Sequence, residues 1–280
     1  MKIDNKSNKK RKESKQKTTK RLFKKIKETK SKKEQKEKKV FKKDNLKQEY
    51  PMRLSRHLFL KGICSRRKAD IFIQNGWVKV NGKKAKLGQK IQKTDKVELS
   101  EEAKKENKDI VYVVFNKPVG VVSHNPQEGE KEPADFIKEY KKLSPVGRLD
   151  KKSTGLLLLS NDGVFVDKML NPKYNHQKEY IVEVDKYMTG EFFKKMESGV
   201  KIERYKTKPA KIKKVKTRTF SLILTEGKKH QIRRMCAALG YTVLGLKRVR
   251  FMNIKLGNLK VGEYKVLSQK EIDELKKSIK

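Results

Sequence analysis

Cysteine is scarce in this 280-residue chain. Only Cys64 and Cys236 occur, far apart in sequence, which excludes a disulfide framework, fits a reducing compartment and leaves both thiols to be read as small core hydrophobes. The four histidines, His57, His124, His176 and His230, are isolated from one another, so zinc-ligand spacing is missing and no metal site is expected. No apolar stretch approaches the roughly 18 to 20 residues needed to span a bilayer, which excludes an integral membrane protein of the helical kind. Acidic residues are also in short supply. Lys and Arg number 75 against 33 Asp and Glu, a net charge of +42, and this imbalance makes a polyanion the expected partner, nucleic acid ahead of an anionic membrane surface.

The charge is unevenly spread. Residues 1–50 hold 22 Lys and Arg against 7 Asp and Glu, a net +15, with few apolar side chains. Such a segment cannot bury enough surface to offset the entropy of ordering it, so 1–51 reads as a disordered tail with a transient helix around 21–26. A basic arm lying on RNA and a merely solvated low-complexity tail both fit this composition.

Patterning begins at about residue 52. Leu54, Leu58 and Ile63 mark one side of a short helix stopped by Gly62, and Ser65 is placed to cap a second helix, Arg66 to Asn75, stopped by Gly76. Val78 and Val80 alternate, Asn81-Gly82 is a hairpin turn, and Val97-Glu98-Leu99 supplies a further strand. Residues 52–100 are therefore expected to form a small helix pair on a sheet. Ser65-Arg66-Arg67-Lys68 at a helix N-terminus has the charge and free N–H groups that suit a phosphate, although a basic helix face is often just solvated.

Residues 101–109 are polar throughout and read as a linker. Beyond them Ile110–Phe115 opens a new sheet. It leads through Asn116-Lys117-Pro118 into a turn and an expected second strand at 121–123. Further strands are predicted at 178–184, 199–202, 209–215 and 220–225, and helices at 164–170, at 191–198, after the turn at Gly227 as far as Gly240, and at 271–279. Together these give an α+β fold with a mostly antiparallel sheet over 110–280.

Two stretches carry chemistry. In Gly147-Arg148-Leu149-Asp150 followed by Ser153-Thr154-Gly155-Leu156-Leu157-Leu158-Leu159-Ser160-Asn161-Asp162-Gly163, four leucines bounded by turn residues read as a buried strand with Asp150 on the loop ahead of it. Asp150 alone is equally an ordinary turn or capping residue. In Gly227-Lys228-Lys229-His230-Gln231-Ile232-Arg233-Arg234-Met235-Cys236, an apolar stripe of Ile232, Met235, Cys236 and Leu239 leaves Arg233 and Arg234 off the core side, where charged residues are usually solvated.

The first of these stretches resembles the active-site motif of the RsuA/RluB/RluE/RluF family of RNA pseudouridine synthases. The 53–82 region is similar to the alpha-L RNA-binding motif of a ribosomal protein that many of these enzymes carry. The resemblance covers 52–280 and looks closest to the RluF branch. It implies an isomerase that converts uridine to pseudouridine in structured RNA, most specifically a stem-loop of 23S ribosomal RNA, with a transfer RNA as a further candidate substrate. A cytoplasmic monomer without cofactor is implied. By the same resemblance Asp150 is the nucleophile, Tyr180 of Lys178-Glu179-Tyr180 lies against the target base, Arg233 pairs with Asp150, and Arg148 holds the extruded nucleotide. By composition alone, Tyr180 is a core aromatic with its hydroxyl at the edge. Arg53, Arg56, Ser65, Arg66, Arg67, Lys68, Lys117 and Arg234 are the expected RNA contacts. The chemistry fits one carboxylate: moving the glycosidic bond from nitrogen 1 to carbon 5 needs neither net redox nor hydrolysis, whereas a hydrolytic glycosidase would use two. A non-enzymatic RNA-binding protein on the same module is the alternative, and a histone-like polycation would explain the tail but not the patterned region.

Overall fold

A computed structural model describes residues 49–278 except 108, 141 and 142; the tail and its expected helix around 21–26 lie outside the described residues up to 48. In the first unit, after a short Met52–Arg53 pairing with Lys90–Ile91, come α1 (Leu54–Leu60) and α2 (Arg66–Gln74). The Ser65 hydroxyl accepts from the Lys68 backbone N–H at 3.2 Å, as its position before the helix demands. Beyond α2, β1 (Val78–Val80) pairs antiparallel with β2 (Lys83–Lys84) and with β3 (Val97–Leu99). The turn between β1 and β2 has Asn81 and Gly82 at φ 50° and 78°, the left-handed pair that a two-residue hairpin of this hand requires. Leu54, Leu58, Phe72, Ile73, Val78 and Ile91 fill the small core.

The expected linker is instead a helix, α3 (Glu101–Glu106). Ser100 caps it through the Ala103 N–H, glutamates occupy its first turn and lysines its last, all of which favour a helix through capping and the macrodipole. Its single apolar residue, Ala103, is fully buried against the first unit, and one small side chain leaves no periodicity to read.

The larger unit is built on a sheet of β4 (Tyr112–Lys117), β5 (Thr154–Ser160), β6 (Lys178–Val184), β7 (Lys211–Lys216), β8 (Thr219–Leu224), β9 (Val243–Phe251) and β10 (Tyr264–Val266). Their order in space is β7-β8-β6-β9-β5-β4-β10, with Ser144–Pro145 paired to β5 and Ile254–Lys255 to β9. Every neighbouring pair is antiparallel except β9 with β5, which run parallel and pair only at Lys247–Thr154 and Arg248–Gly155. Apolar clusters cover both faces. Val113, Phe115, Leu157, Leu159, Val182 and Phe220 belong to one cluster, and Tyr112, Val114, Leu156, Leu158, Phe165 and Phe251 to the other. A strand buried on both sides has no polar face, which is why 110–115 and 156–159 read as unbroken apolar runs. Each fully buried Leu of β5 contributes roughly 1.5–3 kcal/mol of burial free energy.

Helices α4 (Gly163–Leu170), α5 (Gly190–Ser198), α6 (Gln231–Ala238) and α7 (Gln269–Lys277) complete the unit. Asp162 and Thr189 cap α4 and α5 with their side chains, and Ser268 with Glu271 forms a capping box for α7. The strand expected at 121–123 does not form. There Val122 N–H reaches Lys131 O, and the Ser123 side chain turns inward to the loop that carries Asp150. Among the described residues no helix is long and apolar enough to cross a membrane.

Candidate active site around Asp150

Asp150 sits on the loop that enters β5, and its neighbours are fastened by main-chain contacts from three directions. The Ser123 hydroxyl donates to Leu149 O at 2.7 Å and accepts from Leu149 N–H at 2.9 Å. Gly120 N–H donates to Lys151 O at 2.9 Å, and Arg233 Nη2 donates to Lys152 O at 3.0 Å. Ser153 N–H closes the turn on Asp150 O at 2.9 Å. The carboxylate itself is 32% exposed, so the loop is rigid while its acid remains reachable. A fixed acid aimed at solvent has little to reorganise when a substrate arrives.

One side chain beside Asp150 was not foreseen. His230 Nε2 lies 3.5 Å from Asp150 Oδ1. His230 precedes α6 in a left-handed conformation, φ 52° and ψ 29°, and makes no capping bond with its side chain. Three residues further on, Arg233 spans Val243 O and Lys152 O, both at 3.0 Å, with its Nε buried and unpaired. The expected Arg233–Asp150 ion pair is therefore replaced: the guanidinium is spent on two carbonyls that tie β9 to the loop, and the imidazole one turn earlier meets the acid. A contact spanning eighty residues of sequence leaves no spacing signal.

Pairing across the sheet places several site residues in one row. Lys117 stands opposite Gly155, Gly155 opposite Arg248, Arg248 opposite Tyr180, and Tyr180 opposite Leu222. Gly155, at φ 98°, must be glycine, since an added Cβ would stand 2.3 Å from Arg248 O. Tyr180 is 8% exposed and belongs to the apolar cluster that also contains Leu149 and Leu222. Arg148 projects from the loop and is exposed.

Lys117 is corrected as an RNA contact. It is fully buried, and its ammonium donates to Pro118 O at 2.8 Å and Val121 O at 2.7 Å, closing the turn from which Gly120 reaches Lys151. Burial pushes its pKa down to about 8, an effect that the Asp150 charge partly opposes. Arg248 is 1% exposed; its Nε donates to Leu156 O at 2.7 Å, Nη2 is buried without a partner, and the guanidinium lies 5.5 Å from the Phe251 ring centroid. Burial, with Arg248 nearby, likewise lowers Lys178 to about 8.

The segment leading into α6 hangs on Glu226, a buried acid. It accepts from Lys208 N–H at 3.0 Å, from Gln231 Nε2 at 2.7 Å and from the Tyr205 hydroxyl. Gln231 Oε1 accepts in turn from Lys228 N–H at 2.9 Å, which fixes the turn that presents His230. Ser123, Glu226, His230 and Arg248 are thus site residues that no single-sequence signal marks. Among the described residues no group of three or more His, Cys, Asp or Glu could hold a metal ion.

In the first unit Arg53, Arg56, Arg66 and Arg67 are exposed. Ser65 is occupied as a cap, and Lys68 donates to Glu106 O at 2.8 Å while lying over the Phe72 ring. Arg234 is 2.8 Å from Glu203 in an ion pair at the surface. The two units touch where α2 and α4 begin: a Cβ on Gly163 would stand 2.2 Å from the Ser65 Cβ.

Comparison with known proteins follows the same division. Residues 111–238 match the model for RNA pseudouridylate synthase, and residues 52–97 match the S4 domain. The chain is 41% identical over 231 residues to the dual-specificity RNA pseudouridine synthase RluF of Escherichia coli K12, covering 81% of this chain and 79% of that protein. It is 38% identical to the ribosomal large subunit pseudouridine synthase B of Bacillus subtilis 168, covering 80% of this chain and 95% of the other. A crystal structure of a pseudouridylate synthase superimposes with a TM-score of 0.60 at 29% identity, over 80% of this chain and 99% of that one. With a synthase unit, an S4 unit and this degree of identity across most of its length, the chain belongs to the RsuA/RluB/RluE/RluF family of RNA pseudouridine synthases.

Proposed function

We propose that this enzyme isomerises a uridine in structured ribosomal RNA, specifically a stem-loop of the 23S RNA of the large subunit, with Asp150 as its nucleophile. The observation that carries the residue assignment is the partly exposed Asp150 carboxylate on a loop whose neighbouring residues are clamped by Ser123, Gly120 and Arg233. The ribosomal substrate is supported by the name of the Bacillus relative and by the S4 unit, with its exposed Arg53, Arg56, Arg66 and Arg67. A transfer RNA is a second candidate substrate. In this reading the protein works as a cytoplasmic monomer without metal or cofactor.

Asp150 attacks or electrostatically holds carbon 1′ of the ribose as the bond to nitrogen 1 opens. Tyr180 lines the place of the base, and Arg148 holds the nucleotide drawn out of its stem, a step that opposes a few kcal/mol of stacking. Arg66 and Arg67, at the start of α2, bind phosphates and position the stem without reading sequence. Mapping pseudouridines in ribosomal RNA from cells with and without the gene tests the substrate. Loss of one or a few sites in 23S RNA is the expected result; an unchanged map would overturn it.

A further inference from the structure

We propose that His230 is a catalytic residue of the isomerisation, carrying the proton that leaves carbon 5 of the uracil and returning it to nitrogen 1. The inference rests on the reading of Asp150 as the group engaged at the sugar. Uridine and pseudouridine differ by one bond exchange and one proton relocation. The C1′–N1 bond breaks with its electron pair going to nitrogen 1, and carbon 5 of the resulting uracil anion then forms the new bond to C1′. Carbon 5 must next lose its proton; the C–H pair closes the C5–C6 double bond, charge returns to nitrogen 1, and nitrogen 1 takes a proton. A single group that accepts and then gives back balances this sequence without solvent.

Three observations point to His230. Its Nε2 is 3.5 Å from Asp150 Oδ1, so a base attached beside Asp150 lies within reach of the imidazole. The backbone holds an uncommon left-handed conformation here, and the side chain is not used to cap α6. A buried framework of Glu226, Gln231 and Lys208 N–H keeps that turn in place. Lys117 and Arg233, by contrast, are spent on the backbone: Lys117 is buried on two carbonyls, and Arg233 bonds two more. Imidazole is the side chain suited to taking and releasing a proton near neutral pH.

The test uses the full chain and a 23S ribosomal RNA transcript in three forms: ordinary, deuterated at carbon 5 of uridine, and substituted with 5-fluorouridine. His230→Gln should slow single-turnover conversion of ordinary RNA by about a hundredfold or more, the range contributed by general acid–base groups. It should also create a primary isotope effect at carbon 5 that the parent enzyme lacks. Consumption of 5-fluorouridine, which forms the carbon–carbon bond but has no proton to lose, should stay at the parent rate and so report a folded, competent site. His230→Asn, whose side chain tolerates positive φ, is the second variant and should behave alike. Equal slowing on uridine and 5-fluorouridine, or no slowing, would overturn the proposal; an isotope effect appearing in Tyr180→Phe and absent from both His230 variants would assign the proton to Tyr180. Failure of Asp150→Asn to abolish reaction on any transcript would instead remove the underlying reading.

Discussion

The two basic regions of this enzyme use the same residue types for opposite ends. In the S4 unit, Arg53, Arg56, Arg66 and Arg67 are exposed on a helix pair with a small core beneath them. Around Asp150 three cations turn inward, while Arg148 on the loop stays exposed. Lys117 binds Pro118 O and Val121 O, Arg233 binds Lys152 O and Val243 O, and Arg248 binds Leu156 O. An exposed guanidinium is available to a phosphate, where it contributes affinity that salt screens. A cation turned inward is spent on backbone carbonyls, and so contributes geometry. Net charge alone thus overstates how much of the protein faces RNA.

This contrast is most severely tested at the acid. Asp150→Asn is expected to lower product formation by at least about a thousandfold while RNA affinity stays within about tenfold, roughly 1.4 kcal/mol, because on the proposed reading the carboxylate acts on the reacting carbon and not on phosphate. Filter binding beside a pseudouridine assay decides it, and near-parent activity would show that Asp150 is not the nucleophile. Arg233→Ala comes next. Releasing Lys152 O and Val243 O loosens the Asp150 loop, and turnover should fall by about ten- to a hundredfold with the Michaelis constant for folded RNA little changed. Arg66→Ala with Arg67→Ala should do the reverse, raising the Michaelis constant about tenfold at nearly constant turnover. Matching losses in turnover for the two sets would collapse the distinction between inward and outward cations.

The smallest effect is on stability. Lys117 has a folded pKa of about 8 because burial disfavours its charge, below the ordinary lysine range. The unfolded chain therefore binds more protons than the native state between about pH 8 and 10.5, so stability rises with pH across that window and the gain is lost as pH falls through 8. At pH 9 the gain is on the order of 1 kcal/mol relative to neutral pH. Lys117→Met should flatten this rise in denaturant titrations, leaving only the part that Lys178 contributes, and a rise equal to the parent's would place the titration elsewhere.

Much of the fold was legible because its local rules agree. Lys178–Val184 alternates, and Tyr180, Val182 and Val184 are buried; Asn81-Gly82 makes the turn its sequence demands; Ser65 caps α2. The placement of Asp150 on the loop ahead of a buried strand was legible in its motif. The misses share a cause. Ala103 is one small apolar residue on a polar helix, so α3 has no stripe to detect. The 121–123 segment has strand-like composition, but Ser123 serves Leu149 and not a ladder. His230 and Arg233 divide Asp150 and the backbone between them according to where α6 is docked, which is a property of the tertiary arrangement and not of the helix sequence.

The contact between Gly163 and Ser65 sets a length scale for the whole enzyme. Because α4 and α2 meet there with no room for a side chain, the guanidinium groups at the start of α2 stand at a set distance from the acid at the start of β5. On the reading proposed above, in which Arg66 and Arg67 hold phosphates of a stem, this contact would set the span to the uridine that Asp150 reaches, as the hinge of a pair of calipers does. Widening the jaw hinge with Gly163→Val should leave each unit folded on its own core and shift or blur the position modified, a change in address rather than in chemistry.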